Sequence, residues 1–261
     1  MINPLEPKRW DADGTGTVLA QHISFLRDWL RSYKPLTDAQ ADTVEILLEQ
    51  LYRERGITKE TDMSVLRHED FPLLCELYAL LERQAGGSGV FTDETLRELR
   101  LHLHSLCVGP DSLYFNGHTN IGSGRFVTFG VKSLLEAGQN LRDAMLFNIF
   151  SYMNNEMLCA GNTVAAIDEL YLYLNNKTAI GYIRACMKRA RKKESSLLLA
   201  SQNVEDFLLP EAAELTKPLF SIPAYQFLFH PGTVDGGKYR EALQLEECEY
   251  GVVRSCARGN C

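Results

Sequence analysis

The sequence predicts an α/β protein with a mostly parallel sheet in its second half and an α-helical subdomain ahead of it. Three observations carry that prediction. Between residue 19 and about 107, apolar residues recur at the three- and four-residue spacing of amphipathic helices, with few β-branched runs. Further on, two short apolar-rich runs, Thr163–Ile167 and Ser196–Ala200, flank a basic helical stretch, Thr178–Lys193. Runs of that kind suit strands covered on both sheet faces, and two of them joined by a helix are the signature of a right-handed βαβ unit.

The helices can be placed one by one. Ile23, Leu26 and Leu30 mark a first stripe. Thr37 and Gln40 form a capping box ahead of Val44, Leu47, Leu48 and Leu51. Pro72 suits the first turn of a helix carrying Leu74, Leu77, Tyr78 and Leu81, which ends toward Gly86-Gly87-Ser88-Gly89. Thr92 caps a stripe of Leu96, Leu99, Leu103 and Leu106. From about 114 the period changes. Arg125–Val131 reads as a strand, followed by a long helix through Leu141, Met145, Ile149 and Met153. After the βαβ unit, Tyr225–Phe229 and Gly251–Val253 read as further strands, with a helix over Lys238–Leu245 between them.

With 261 residues, 45% hydrophobic and 23% charged, the chain has the balance of one or two globular domains. No apolar run nears the roughly 18 residues that span a bilayer. The first residues show no basic n-region followed by an apolar h-region, so no secretory signal is expected. A formal charge of −7 restricts any nucleic-acid role to a local patch. The seven cysteines are irregularly spaced, with no Cys-x-x-Cys pair, and read as reduced thiols of a cytoplasmic protein.

In an open parallel sheet, ligands bind at the carboxyl ends of the strands. The first buried run leads into Asp168-Glu169 and the second into Ser201-Gln202. An aspartate at a strand end can hold magnesium through water, and an adjacent glutamate can deprotonate an attacking water, the Walker B arrangement. A polar residue one strand over is placed to sense a γ-phosphate. Taken singly, the acidic pair is also explained as a solvent-facing strand end and the glutamine as a strand cap. Arg184, Lys188, Arg189, Arg191, Lys192 and Lys193 put six cations into ten residues. Such a run is a solvated face, a phosphate-directed arginine for a neighbouring subunit, or a DNA-facing surface. The segment nearest to a phosphate-binding loop, Gly232 to Tyr239, has Tyr239 where a Ser or Thr should reach the metal, and it reads as a turn. His102, His104 and Cys107 do not converge at helical spacing and are read as surface or core residues rather than metal ligands.

Asn3-Pro4-Leu5, the helical insertion, Phe115-Asn116-Gly117, the strand into Asp168-Glu169, Arg189-Ala190-Arg191-Lys192 and Ala200-Ser201-Gln202 occur together in this order. In that order and spacing the chain resembles the large type IV secretion and conjugative-transfer ATPases, in the version carried by Gram-positive conjugative elements. That superfamily consists of hexameric RecA-like motors. The resemblance spans nearly the whole chain. It implies a RecA-like, mostly parallel sheet with helices on both faces over 114–261, an α-helical insertion over 19–113 and a lead-in segment over 1–18.

By the same resemblance, Asp168 is the magnesium aspartate, Glu169 the catalytic glutamate and Gln202 the sensor. Arg191 and Lys192 match an Arg-Lys motif, with Lys192 on the nucleotide side, and Arg258 belongs to a final Arg-Gly motif that approaches the nucleotide. The implied cofactors are ATP and magnesium. The implied partners are other secretion components and further copies in a hexamer, at the inner face of the cell membrane, with DNA as a further partner. In the family a phosphate-binding loop precedes the Asn-Pro-Leu segment, and here that segment opens the sequence. The expectation is therefore a C-terminal portion that lacks the loop and does not hydrolyse ATP unaided. Two other readings stay open: a non-enzymatic docking module of the secretion apparatus and a DNA-binding fragment using residues 184–193.

Overall fold

The computed structural model describes residues 1–8, 17–84, 91–122, 124–174, 177–202, 204, 207, 210–232, 234–257 and 261. The expected glycine loop at 86–89 and the Arg258-Gly259 motif lie outside them. The chain forms two compact units, Met1–Asn155 and Glu156–Cys261.

The first unit is helical. Its elements are α1 (Val18–Tyr33), α2 (Asp38–Glu54), α3 (Leu74–Arg83), α4 (Asp93–Cys107), the short α5 (Ser112–Phe115) and α6 (Lys132–Leu135), and α7 (Gln139–Asn155). The expected caps form. Thr37 Oγ1 accepts from Gln40 N at 3.3 Å and Gln40 Oε1 from Thr37 N at 3.0 Å, while Thr92 Oγ1 accepts from Thr95 N. Pro72 lies just outside α3 rather than in its first turn, because Leu73 is the N-cap. On α1, Leu19, Ile23, Leu26, Trp29 and Leu30 face the core at helical spacing. Trp29 is fully buried, donates from Nε1 to Ala144 O on α7 at 3.0 Å and meets Phe115 edge-on with ring centres 5.2 Å apart. Since α7 packs along α1, it belongs to this unit although it follows the change of period near 114.

The Asn3-Pro4-Leu5 segment is threaded through this core. Asn3 is fully buried; its N donates to Thr119 Oγ1, its Nδ2 to Pro72 O, and its Oδ1 accepts from Leu5 N, each at 3.0 Å. Asn148 Nδ2 of α7 donates to Ile2 O, and the Tyr52 hydroxyl to Leu5 O. The Asn3 side chain and the Ile2, Asn3 and Leu5 backbone groups named here thus find partners in an otherwise irregular stretch of chain, as burial favours. Beside it lies His22, fully buried and stacked on Phe25. Burial, helped by the charge of Lys8, lowers its pKa to about 3.

The second unit starts with a π-helical turn, Glu156–Ala160, and holds a parallel pair, β1 (Val164–Ile167) and β2 (Ser196–Leu199), in the register Val164↔Ser196 to Ile167↔Leu199. Between them run α8 (Lys177–Arg189) and a 3₁₀ turn, Ala190–Lys193. Ile180, Ile183, Cys186 and Ala190 form the buried stripe of that connection. Then come α9 (Pro210–Ser221), α10 (Gly236–Leu243) and α11 (Glu247–Ser255).

The α/β class and the parallel pairing of the two runs hold, but several strand expectations do not. Among the described residues, 125–131 and 225–229 form no strand, and Gly251–Val253 lies inside α11. Phe126, Tyr225, Phe227 and Phe229 are exposed, so these apolar runs lack the neighbouring strands that would convert their pattern into a ladder. Full cover of both sheet faces also fails. Val164 is 73% and Leu198 56% exposed on one face, while Ile167 is buried on the other. A two-stranded sheet with a helix on one side cannot shield both.

Candidate nucleotide-binding edge

The carboxyl end of the parallel pair is built by three cross-strand hydrogen bonds. Ala200 N donates to Ile167 O at 2.9 Å, extending the ladder by one residue. Leu170 N then donates back to Ala200 O, also at 2.9 Å. The chain leaving β1 is therefore tied to the end of β2 at both 167 and 170, and the bend between them falls on Glu169. Its φ of 52° and ψ of 48° are left-handed, which a residue with a Cβ rarely adopts. Glu169 N donates to Asp168 Oδ1 at 2.9 Å, closing the acidic pair on itself.

The third bond joins side chains. Gln202 Nε2 donates to Glu169 Oε1 at 2.5 Å. The other carboxylate oxygen, Glu169 Oε2, has no solvent-accessible surface and no hydrogen-bond partner. Asp168 is exposed beside it. Tyr173, buried on the 3₁₀ turn Leu170–Tyr173, has its pKa raised by burial and then by the neighbouring Asp168 charge. Asp168, Glu169 and Gln202 thus share one rim of the sheet.

Arg191 and Lys192 do not join them. They lie exposed on the 3₁₀ turn that enters β2, at the amino end of the strands. Four strand residues at about 3.3 Å each separate the two rims by roughly 13 Å. The sequence carried the signal for this: a residue just before a parallel strand lies at its opposite end from one just after it. At that amino end, Asn162 N donates to Lys193 O at 3.0 Å, and Gly161 has φ +70° with space for a Cβ closed by Lys193 O at 2.9 Å. The roles of Tyr173 and of the Ala200 carbonyl were missed, because neither residue type marks its position in sequence.

Among the described residues, no three His, Cys, Asp or Glu side chains converge as a metal cage. His102 Nδ1 lies 3.2 Å from Glu98 O, His104 packs edge-on against Tyr78, and Cys107 is buried with its thiol pKa raised by burial. A single exposed aspartate at a strand end still fits magnesium, which binds through one or two carboxylates plus waters and substrate phosphates. No described helix is long and apolar enough to cross a membrane.

No family model and no curated protein matches the chain. Among solved structures it is similar to VirB4 of Thermoanaerobacter pseudethanolicus, at 30% identity and a TM-score of 0.82; the match covers 99% of this chain and 69% of that one.

Proposed function

The chain belongs to the VirB4 family of type IV secretion ATPases, and from that premise we propose that it supplies the Walker B half of an ATP-hydrolysing site. The whole protein would couple ATP turnover to assembly of the secretion apparatus or to DNA or protein transfer, as a RecA-like hexamer at the inner face of the membrane. The observation that carries this reading is the meeting of Asp168, Glu169 and Gln202 at one carboxyl edge, with Gln202 Nε2 on the Glu169 carboxylate.

In this reading Asp168, exposed and accepting from Glu169 N through Oδ1, would hold magnesium through water. Magnesium held there would supply positive charge against the negative charge that develops on the transferred phosphoryl group. Glu169 orients the attacking water and takes its proton as the oxygen–phosphorus bond forms and the bond to ADP breaks. Gln202 donates to the terminal phosphate from the adjacent strand. Arg191 and Lys192, on the far rim, serve the nucleotide of a neighbouring subunit, as does Arg258. The 261 residues contain no Gly-x-x-x-x-Gly-Lys-Ser/Thr loop, so the phosphate-cradling amides come from another segment.

Titration with a fluorescent ATP analogue tests this. Tight, magnesium-dependent binding is expected when a P-loop-bearing segment precedes Met1, and no measurable hydrolysis without it. In the extended protein, Glu169→Gln keeps binding and lowers turnover by about 10²–10⁴-fold. Wild-type turnover in Glu169→Gln would overturn the proposal. The exposed cations Lys188, Arg189, Arg191, Lys192 and Lys193 favour a second reading, a DNA-facing surface. It predicts retention on DNA that falls steeply with salt and with Arg191→Ala and Lys192→Ala together.

A further inference from the structure

A cleft of about 440 Å³ opens in the first unit, between the lead-in segment and residues 63–71. Volumes of that order suit small ligands or single side chains. Pro7, Met63 and Phe71 give it buried apolar walls. Local bonds fix its far side, which consists of two 3₁₀ turns, Met63–Val65 and His68–Asp70. Ser64 N donates to Asp62 Oδ1 and Arg67 N to Asp70 Oδ2, both at 2.8 Å, and His118 Nδ1 donates to His68 O at 2.9 Å.

Glu6 lines this cleft with its bonding incomplete. Its side chain is only 17% exposed. Oε1 lies 2.9 Å from His68 Nδ1, while Oε2 has neither accessible surface nor a hydrogen-bond partner. A carboxylate oxygen stripped of water and left without a donor is destabilising, and a ligand that supplies the donor removes that penalty. The imidazole serves one oxygen only. It is also the movable member of the pair, since the His68 side chain is 51% exposed. A guanidinium in its place brings two parallel N–H groups, the fork that matches both oxygens of a carboxylate. The rest of the lining agrees in sign: Arg67 is answered by Asp70 at 3.7 Å, and Glu69 adds a second carboxylate.

We propose that this cleft is a socket for an arginine of a partner polypeptide: the guanidinium replaces His68 on Glu6, and the aliphatic stem lies against Met63 and Phe71. Arginine suits such a place because its stem is apolar and only its tip is charged. One such side chain fills only part of the cleft. The remaining space, with Val65 72% exposed between the lining residues Met63 and Leu66, takes an apolar neighbour of that arginine. The occupant is therefore a polypeptide rather than a free guanidine. The socket uses no residue of the nucleotide-binding edge and stands independently of the ATPase reading.

Methyl NMR of the full chain, labelled with carbon-13 at the methionine methyls, tests the socket, with the Met63 signal assigned through Met63→Leu. The probe is the acetylated, amidated tripeptide Val-Arg-Leu. It is expected to shift the Met63 methyl saturably, and the same peptide with neutral citrulline for arginine should bind at least about tenfold more weakly, as loss of a charge-assisted bidentate contact implies. Glu6→Gln should weaken the arginine peptide by a similar factor. His68→Ala, which removes the competitor, should bind it at least as tightly as wild type. Butylguanidinium alone should bind more weakly than the tripeptide. No saturable Met63 shift, equal binding of the citrulline peptide, or unchanged affinity in Glu6→Gln overturns the socket. The citrulline comparison uses the wild-type chain, so it decides even where Glu6→Gln fails to fold. Weaker binding in a folded His68→Ala chain overturns the exchange at Glu6, and butylguanidinium that binds as tightly as the tripeptide overturns the polypeptide occupant.

Discussion

The two units differ in how fully their regular elements enclose apolar surface, although Val65, Leu101, Leu113 and Phe126 of the first also stand open. In Met1–Asn155, Leu26, Trp29, Val44, Leu47, Leu48, Leu77 and Leu99 have no measurable exposure, and even the irregular Asn3-Pro4-Leu5 segment is hydrogen-bonded into the interior. In Glu156–Cys261, Val164, Leu198, Tyr225, Phe227 and Phe229 stand open. The striped helices α1–α4 close a core together with α7, which packs along α1. A two-stranded sheet has two apolar faces and one helix with which to cover them. The lesson concerns role as much as stability: the first unit behaves as a scaffold, whereas the second presents an edge whose residues are positioned but not enclosed.

The largest test of this contrast is Trp29→Ala. It removes a fully buried indole, its bond to Ala144 O and its contact with Phe115, and should cost the first unit about 3–5 kcal/mol in denaturant unfolding. A loss below about 1 kcal/mol would show that this interior is looser than its burial implies.

His22 gives the first unit a pH dependence. Folded, it stays neutral down to about 3, whereas an unfolded histidine protonates near 6.5. Between those values the unfolded chain binds the extra proton, so stability falls as pH drops, by about 1.4 kcal/mol per unit at the steepest. His22→Leu should remove about one proton from that slope in urea titrations run between pH 6 and 4. An unchanged slope would mean that the imidazole is not held neutral.

In the second unit, Gly161→Ala meets both a left-handed φ and the Lys193 carbonyl at 2.9 Å. A loss of about 1–3 kcal/mol is expected, read as a fall in melting temperature of the βαβ segment by hydrogen exchange. The smallest effect belongs to Leu198→Ser on the open sheet face, expected within about 0.5 kcal/mol of wild type. A large loss there would show that the face is covered in solution, and the contrast between the units would dissolve.

Legibility in sequence did not follow the boundary between the units. The helices of the first unit were readable because each carries its own period and cap: Thr37 with Gln40, Thr92, and the leucine stripes of α2 and α4. The parallel pair was readable because two apolar runs flank a helix. Arg125–Val131, Tyr225–Phe229 and Gly251–Val253 misled, since β-branched and aromatic residues report fitness for a pleated, half-buried surface and not whether a neighbouring strand exists. At the site, the acidic pair and the glutamine were visible as strand-end residues. That Arg191 and Lys192 fall on the opposite rim follows from the direction of β2, which the run of cations alone does not convey.

What the sequence determined by itself was the striped helices of the first unit, the β1–α8–β2 order and the identity of the three polar side chains at the ends of β1 and β2, because periodicity, caps and strand ends are encoded within a few residues of one another. Only the tertiary structure decided that Glu169 takes a left-handed bend, that its carboxylate is caught by Gln202, and that the sheet keeps one face open. Those features depend on bonds from Ile167 and Leu170 to Ala200, thirty or more residues away in the chain. No local preference of a glutamate can anticipate a geometry imposed from across the sheet.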